Sequence, residues 1–306
     1  MTGTVDLHRH VWPDRLVAAL RARAAPPCLR DGVLALADRE YRVDPADYGV
    51  DRCVAQLDAD GIDRAVVSCP PTLGLEALPP AEAAVLLQAY HDGMLEAVAR
   101  TQGRLLALAM GEPRPGFVGM SVSAAALADL DRLAPALDEL ERQGEILFVH
   151  PGPAPAAAAR PVWWSAAVEY TTQMQTGYAA WLATGVDRWP ELRVVFAILA
   201  GGGPFQLERL SSRGFDVRRA LRPTLYLDTA SYGRRAIELC LATYGGRQLV
   251  FGSDAPVIDA HLTLEAVRSF GQAVFDAVCS DNPSELLSCL ASTSGSHTTS
   301  PPKGVT

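Results

Sequence analysis

The sequence predicts an α/β fold, a distorted (β/α)8 TIM barrel, and three observations predict it. Short apolar runs alternate with longer helical stretches along the chain. Eight such β-α alternations fit the length better as a closed ring of parallel strands than as an open doubly wound sheet, the alternative that periodicity alone leaves open. The chemistry-bearing residues fall at the ends of these runs, where parallel barrels carry their sites.

The strand candidates are 5–10, 64–69, 104–109, 117–124, 145–150, 193–199, 225–229 and 249–253, each rich in Val, Leu, Ile, Phe or Ala and bounded by Gly, Pro or charged residues. Helical periodicity is clearest at 80–102, with Ala83, Leu86, Leu87, Tyr90, Met94 and Val98 on one face, and recurs at 127–143 and 263–279. Residues 26–50 interrupt the rhythm. They read as short strands and turns (32–37, 40–43) ahead of a helix containing 54–60, which makes them a small flap inserted after strand 1 rather than a second domain. The expected organisation is one barrel over 1–291 with the flap at 26–50, then a Ser/Thr/Pro/Gly-rich disordered tail over 292–306 that discounts His297 as a ligand.

Composition narrows the function classes. The 306 residues are 49% hydrophobic with a net charge of −8, so a large core is expected. No dense basic stretch offers a nucleic-acid footprint, no long apolar run suggests a membrane span, and the first residues carry no secretory signal; a cytoplasmic enzyme is expected. Lys303 in the tail is the only lysine, so no lysine of the folded body can serve as Schiff base or carbamate ligand. Six scattered cysteines, without a C-x-x-C pair, read as buried apolar residues.

Asp6-Leu7-His8-Arg9-His10 closes the first strand. Side chains two apart on a strand share a face, so His8 and His10 can converge on one cation while Arg9 points toward the surrounding helices. Phe148-Val149-His150-Pro151-Gly152 ends a second strand in a histidine and breaks there. Asp254 ends the last strand, which neighbours the first in a closed barrel. Three imidazoles and a carboxylate make a ligand set for one divalent ion, zinc or alternatively manganese.

These residues carry a resemblance. The D-x-H-x-H opening, the flap, Leu57-Asp58-x-x-Gly61-Ile62-Asp63-Arg64-Ala65-Val66, His150-Pro151, Trp189-Pro190-Glu191-Leu192-Arg193 and Phe251-Gly252-Ser253-Asp254 are similar to the amidohydrolase-2 (aminocarboxymuconate-semialdehyde decarboxylase-like) branch of the amidohydrolase superfamily. The resemblance implies a mononuclear metal held by His8, His10, His150 and Asp254, a small-molecule substrate, and a homodimer. Absence of a lysine on the fourth strand agrees with one ion rather than two.

One departure bears on mechanism. The branch carries an acid/base histidine at the end of strand six, and that position is Ile198 here, in Ala197-Ile198-Leu199-Ala200-Gly201-Gly202-Gly203. Isoleucine transfers no proton. Asp254 could take over as base toward a water activated by the ion, another mouth residue could replace the histidine, or catalysis could have decayed with the ion site retained. The first requires only what is present, and makes the expected activity hydrolysis of a lactone, ester or amide. The resemblance by itself implies non-oxidative decarboxylation of a small aromatic or unsaturated acid. His261 is the better placed of the remaining histidines as a substitute, and His91 reads as helical packing. Trp163 and Trp164 could wall the pocket and Arg160 could grip a carboxylate, although packing and a solvated surface account for them equally.

Overall fold

The computed structural model describes residues 3–156 and 159–288. Twelve strands are assigned among them: β1 Val5–His10, β2 Cys28–Arg30, β3 Val33–Ala35, β4 Glu40–Arg42, β5 Arg64–Ser68, β6 Leu105–Ala107, β7 Ala109–Met110, β8 Gly119–Ser123, β9 Ile146–His150, β10 Arg193–Phe196, β11 Leu225–Asp228 and β12 Leu249–Val250. Two parallel ladders, β1-β5-β6 and β12-β11-β10-β9-β8-β7, form the two arcs of the barrel.

Two seams join the arcs. At the first, β6 and β7 are one barrel strand broken at Leu108, whose amide still reaches the Val67 carbonyl; Val118 N–H then reaches Ala107 on the other side. At the second, the chain past β12 runs beside β1, with Leu7 N–H donating to Phe251, Asp254 N–H to His8 and His10 N–H to Ala255, each at 2.8 Å. The eighth strand therefore continues beyond its two ladder residues, interrupted where Asp254 takes φ +63°.

The alternation is less regular than periodicity suggests. No helix lies between the third and fourth barrel strands: 111–118 return as an extended segment and turns, and this is one source of the distortion. The 263–279 stretch is also not one helix. It divides into Ala260–Arg268, Gln272–Asp276 and a π-helical turn Ala277–Asp281, with the break at Gly271.

Elsewhere the helices follow their local chemistry. Leu130–Gln143 starts where the Asp129 carboxylate accepts from Arg132 N–H, and ends at Gly144, whose φ of +67° lets the chain turn back so that Glu145 N–H meets the Leu140 carbonyl. Its Leu137 and Leu140 are fully buried against the barrel. The outer layer also buries Trp181 stacked on Trp189.

Residues 26–50 carry an antiparallel sheet, β2-β3-β4, and a 3-10 turn Pro45–Tyr48. The sheet touches the segment after β9: Ser165 Oγ donates to Asp38, Tyr41 OH donates to the same carboxylate at 2.5 Å, and Arg39 reaches the Arg160 carbonyl. Cys28, Cys53, Cys69, Cys240 and Cys279 are free and buried; Cys289, His297 and the expected tail lie outside the described residues. Among the described residues no helix is long and apolar enough to cross a membrane.

Candidate metal centre

His8 and His10 end β1, His150 ends β9, and Asp254 follows β12, so all four stand at the same end of the barrel. One ligand atom from each lies within 4.8 Å of every other. The side-chain alternation of β1 is interrupted, however. The register with β5 shifts between Asp6 and Arg9, so an extra residue bulges there. His8 and His10 keep a common face, but Asp6, an even position, turns outward with Arg9.

Outside the barrel wall, Asp6 makes contacts the sequence did not suggest. It accepts from Ser253 Oγ at 2.6 Å, from the amides of Ser253 and His8, and faces the Arg9 guanidinium at 3.2 Å. Arg9 is 2% exposed and also faces Asp60. Asp6 thereby ties the residue before Asp254 to the strand that carries both histidines.

Each imidazole uses Nδ1 on an oxygen that only accepts. His8 Nδ1 donates to Asp228 Oδ2 at 2.8 Å, His150 Nδ1 to the Pro151 carbonyl at 2.8 Å, and His10 Nδ1 to the Ser68 carbonyl at 3.3 Å. With those protons placed, all three Nε2 atoms are lone pairs. His8 Nε2 stands 3.2 Å from His10 Nε2, and Asp254 Oδ1 stands 3.0 Å from His10 Nε2 and 3.6 Å from His8 Nε2. Acceptors this close repel unless a positive charge lies among them. The donor set fits a cation.

The electrostatics show the same demand for positive charge among these groups. Burial pushes the His8 imidazole down, but the Asp228 carboxylate bonded to it more than offsets this and raises it to about 9. Burial, then the charges of His8 and His10, push His150 well below the ordinary imidazole range. Burial would raise the Asp254 carboxyl, yet the closeness of His10 and the positive charge of the three imidazoles bring it below its ordinary value. Asp254 is also the most accessible of the four, with 15% of its side chain exposed.

Asp228 and Ser231 are functional candidates that sequence reasoning missed. Asp228 is fully buried; besides His8, its Oδ1 accepts from the amides of Ile198 and Ala230. The available signal was an acidic residue closing an apolar strand, Leu225-Tyr226-Leu227-Asp228. Ser231 donates to Asp254 Oδ2 at 3.3 Å, and nothing in its sequence surroundings marks it.

Ile198 sits one carboxylate away from His8, through Asp228. It opens a left-handed turn: φ runs +45°, +50°, +54°, +65° and +92° over Ile198, Leu199, Ala200, Gly201 and Gly202. Three of these carry side chains, a conformation costing about 1–2 kcal/mol per residue. Arg160 lies over the Trp164 ring at 4.4 Å, its carbonyl accepts from Arg39, Trp164 Nε1 donates to Glu169, and Trp163 is 59% exposed. His91 is buried between Tyr90 and Phe117 and accepts from Met110 N–H, a packing role. His261 lies in the helix Ala260–Arg268.

Comparison with known proteins adds a family and relatives. The family model described as amidohydrolase matches residues 5–288. The 2-amino-3-carboxymuconate-6-semialdehyde decarboxylase of Dictyostelium discoideum is 23% identical, over 92% of this chain and 91% of that protein. Among solved structures, the apo IDCase of Metarhizium anisopliae superposes with a TM-score of 0.80 at 20% identity, covering 94% of this chain and 97% of that one. A 5-carboxyvanillate decarboxylase from Novosphingobium aromaticivorans with bound manganese gives 0.73 at 15% identity, covering 94% and 97%. At such identities the structural likeness shows the barrel fold.

Proposed function

The chain belongs to the amidohydrolase family, and from that premise we propose that it is a metal-dependent carboxy-lyase removing the carboxyl group of a small aromatic or unsaturated acid. The observation that carries the reading is the convergence of His8, His10, His150 and Asp254 at one end of a barrel that is similar to proteins named as decarboxylases. Hydrolysis of a lactone, ester or amide, the expectation drawn from Ile198, gives way, because those similar proteins are named for decarboxylation and Asp254 alone can move the proton that decarboxylation requires.

His8, His10 and His150 through Nε2, with Asp254 through Oδ1, would hold one divalent ion; both zinc and manganese suit such donors. When bound, the ion supplies positive charge that neutralises and orients an anionic substrate. Asp254 starts ionised, so it takes a proton from solvent. It then hands that proton to the carbon bearing the carboxylate. The bond to the carboxyl carbon breaks, its electron pair returns to the substrate, and carbon dioxide leaves: one acid anion and one proton become one neutral product and carbon dioxide. Asp228 holds His8 in the Nδ1–H form throughout.

Metal analysis and a substrate panel test this. The protein should bind one ion per chain and release carbon dioxide from hydroxylated benzoates or related unsaturated acids, and Asp254→Asn should lower turnover by about 10²–10⁴. Hydrolysis of lactones or amides without carbon dioxide release would overturn it. An ion bound without any turnover would instead support a catalytically decayed barrel.

A further inference from the structure

We propose that Ser231 is a positioning residue that keeps Oδ2 of Asp254 off the cation and free to carry a proton. The proton's use rests on the decarboxylase reading; the positioning does not.

The two oxygens of Asp254 are divided between partners. Oδ1 faces the imidazoles, at 3.0 Å from His10 Nε2, while Oδ2 meets Ser231 Oγ at 3.3 Å. A carboxylate beside a divalent ion can bind through one oxygen or both, and a hydroxyl donating to Oδ2 favours one. Ser231 is exposed, so its hydroxyl also joins that oxygen to solvent at the barrel mouth.

The backbone supports a dedicated role. Ser231 has φ +66° in the turn closed by Tyr232 N–H on the Thr229 carbonyl, a conformation glycine adopts without strain. Its partner Asp254 has φ +63°. Two strained non-glycine residues thus meet side chain to side chain across the seam between β11 and the end of the eighth strand, as strain kept at a working site would. The turn is also registered to the cation group, because Ala230 N–H donates to the carboxylate that orients His8.

A hydroxyl both donates and accepts. Ser231 donates to Oδ2 while Asp254 is ionised and accepts from it once Oδ2 is protonated. Oδ2 gains its proton from solvent and gives it to the substrate carbon, and Oγ keeps one hydrogen before and after. In a mouth where Ile198 replaces a histidine, this is a path for reloading the acid.

The test uses the full chain, stripped of metal and loaded with Co2+ as a spectroscopic probe, in wild type, Ser231→Ala and Ser231→Gly. All three should bind the same amount of cobalt. Both variants should show weaker visible d–d absorption, because Oδ2 joins the ion and coordination number rises. Ser231→Gly should melt no lower than wild type, which separates loss of the hydroxyl from loss of fold. On an acid that wild type decarboxylates, kcat should fall about 10-fold with KM within about twofold. Superimposable cobalt spectra overturn the proposal whether or not the protein is a decarboxylase, and unchanged kcat in both variants overturns the proton role. Altered spectra in a protein that releases no carbon dioxide from any acid would sink the decarboxylase reading while supporting the positioning.

Discussion

Asp228→Asn should weaken metal binding without touching a ligand. Asp228 accepts three hydrogen bonds in a fully buried place: His8 Nδ1 on Oδ2 at 2.8 Å, and the amides of Ile198 and Ala230 on Oδ1 at 2.9 and 3.0 Å. Asparagine matches its shape but offers one accepting oxygen and one donating NH2. If the oxygen stays on the two amides, the NH2 faces His8 Nδ1, and the ring answers by moving its proton to Nε2, where it blocks the lone pair a cation needs. If the amide flips, the NH2 opposes two backbone donors, and a buried unsatisfied donor costs about 1–3 kcal/mol. Removing such an orienting partner typically costs 10–100-fold in metal affinity, or about 1.4–2.8 kcal/mol at 1.4 kcal/mol per tenfold. Competition against a chromophoric chelator, in wild type and Asp228→Asn, measures it. Equal affinities, with both proteins folded by circular dichroism, would refute the role given to Asp228.

Three further outcomes are expected. Burial, then the Arg114 guanidinium, push His91 down to about 4 from 6.5, so the native state stays neutral where the unfolded chain takes a proton; this contribution is complete above pH 6.5 and is lost as pH falls toward 4. Urea unfolding should show wild type losing up to about 3 kcal/mol over that interval relative to His91→Gln, which keeps an acceptor for Met110 N–H, and parallel pH profiles would count against it. Gly119→Ala should fail to fold or lose more than about 3 kcal/mol, because a Cβ there would overlap the Ile146 carbonyl in the adjacent strand at φ +157°; a melting temperature within a few degrees of wild type would contradict that. Ile198→His should fold, since histidine enters the left-handed region more readily than a β-branched residue, and should raise carbon dioxide release by about 10-fold or more; a folded variant with unchanged turnover would show that this position no longer reaches the reaction.

The barrel was legible because its strands are apolar runs with sharp ends, and the four convergent side chains were legible because a strand's period of two and the adjacency of first and last strands fix their directions. The same rule does not extend to Asp6. The alternation assumes an unbroken ladder, and one bulged residue between Asp6 and Arg9 moves it to the outer face, where it secures Ser253 instead. The helix-free return over 111–118 and the division of 263–279 were invisible for a related reason, since periodicity reports which residues are apolar and not where the backbone stops being regular.

By itself the sequence determined the barrel, the end at which its chemistry sits, and the four side chains that meet there, since each follows from local periodicity and chain order. Only the tertiary structure decided how those side chains are held. Asp228 lies 220 residues from His8, and Ser231 lies 23 from Asp254; no period links such positions, and they meet because barrel closure and the β11-β12 pairing bring the ends of separate strands within hydrogen-bond reach. The left-handed turn from Ile198 to Gly202 belongs to the same class, a local conformation against the preference of its own residues that Asp228 and the surrounding core impose.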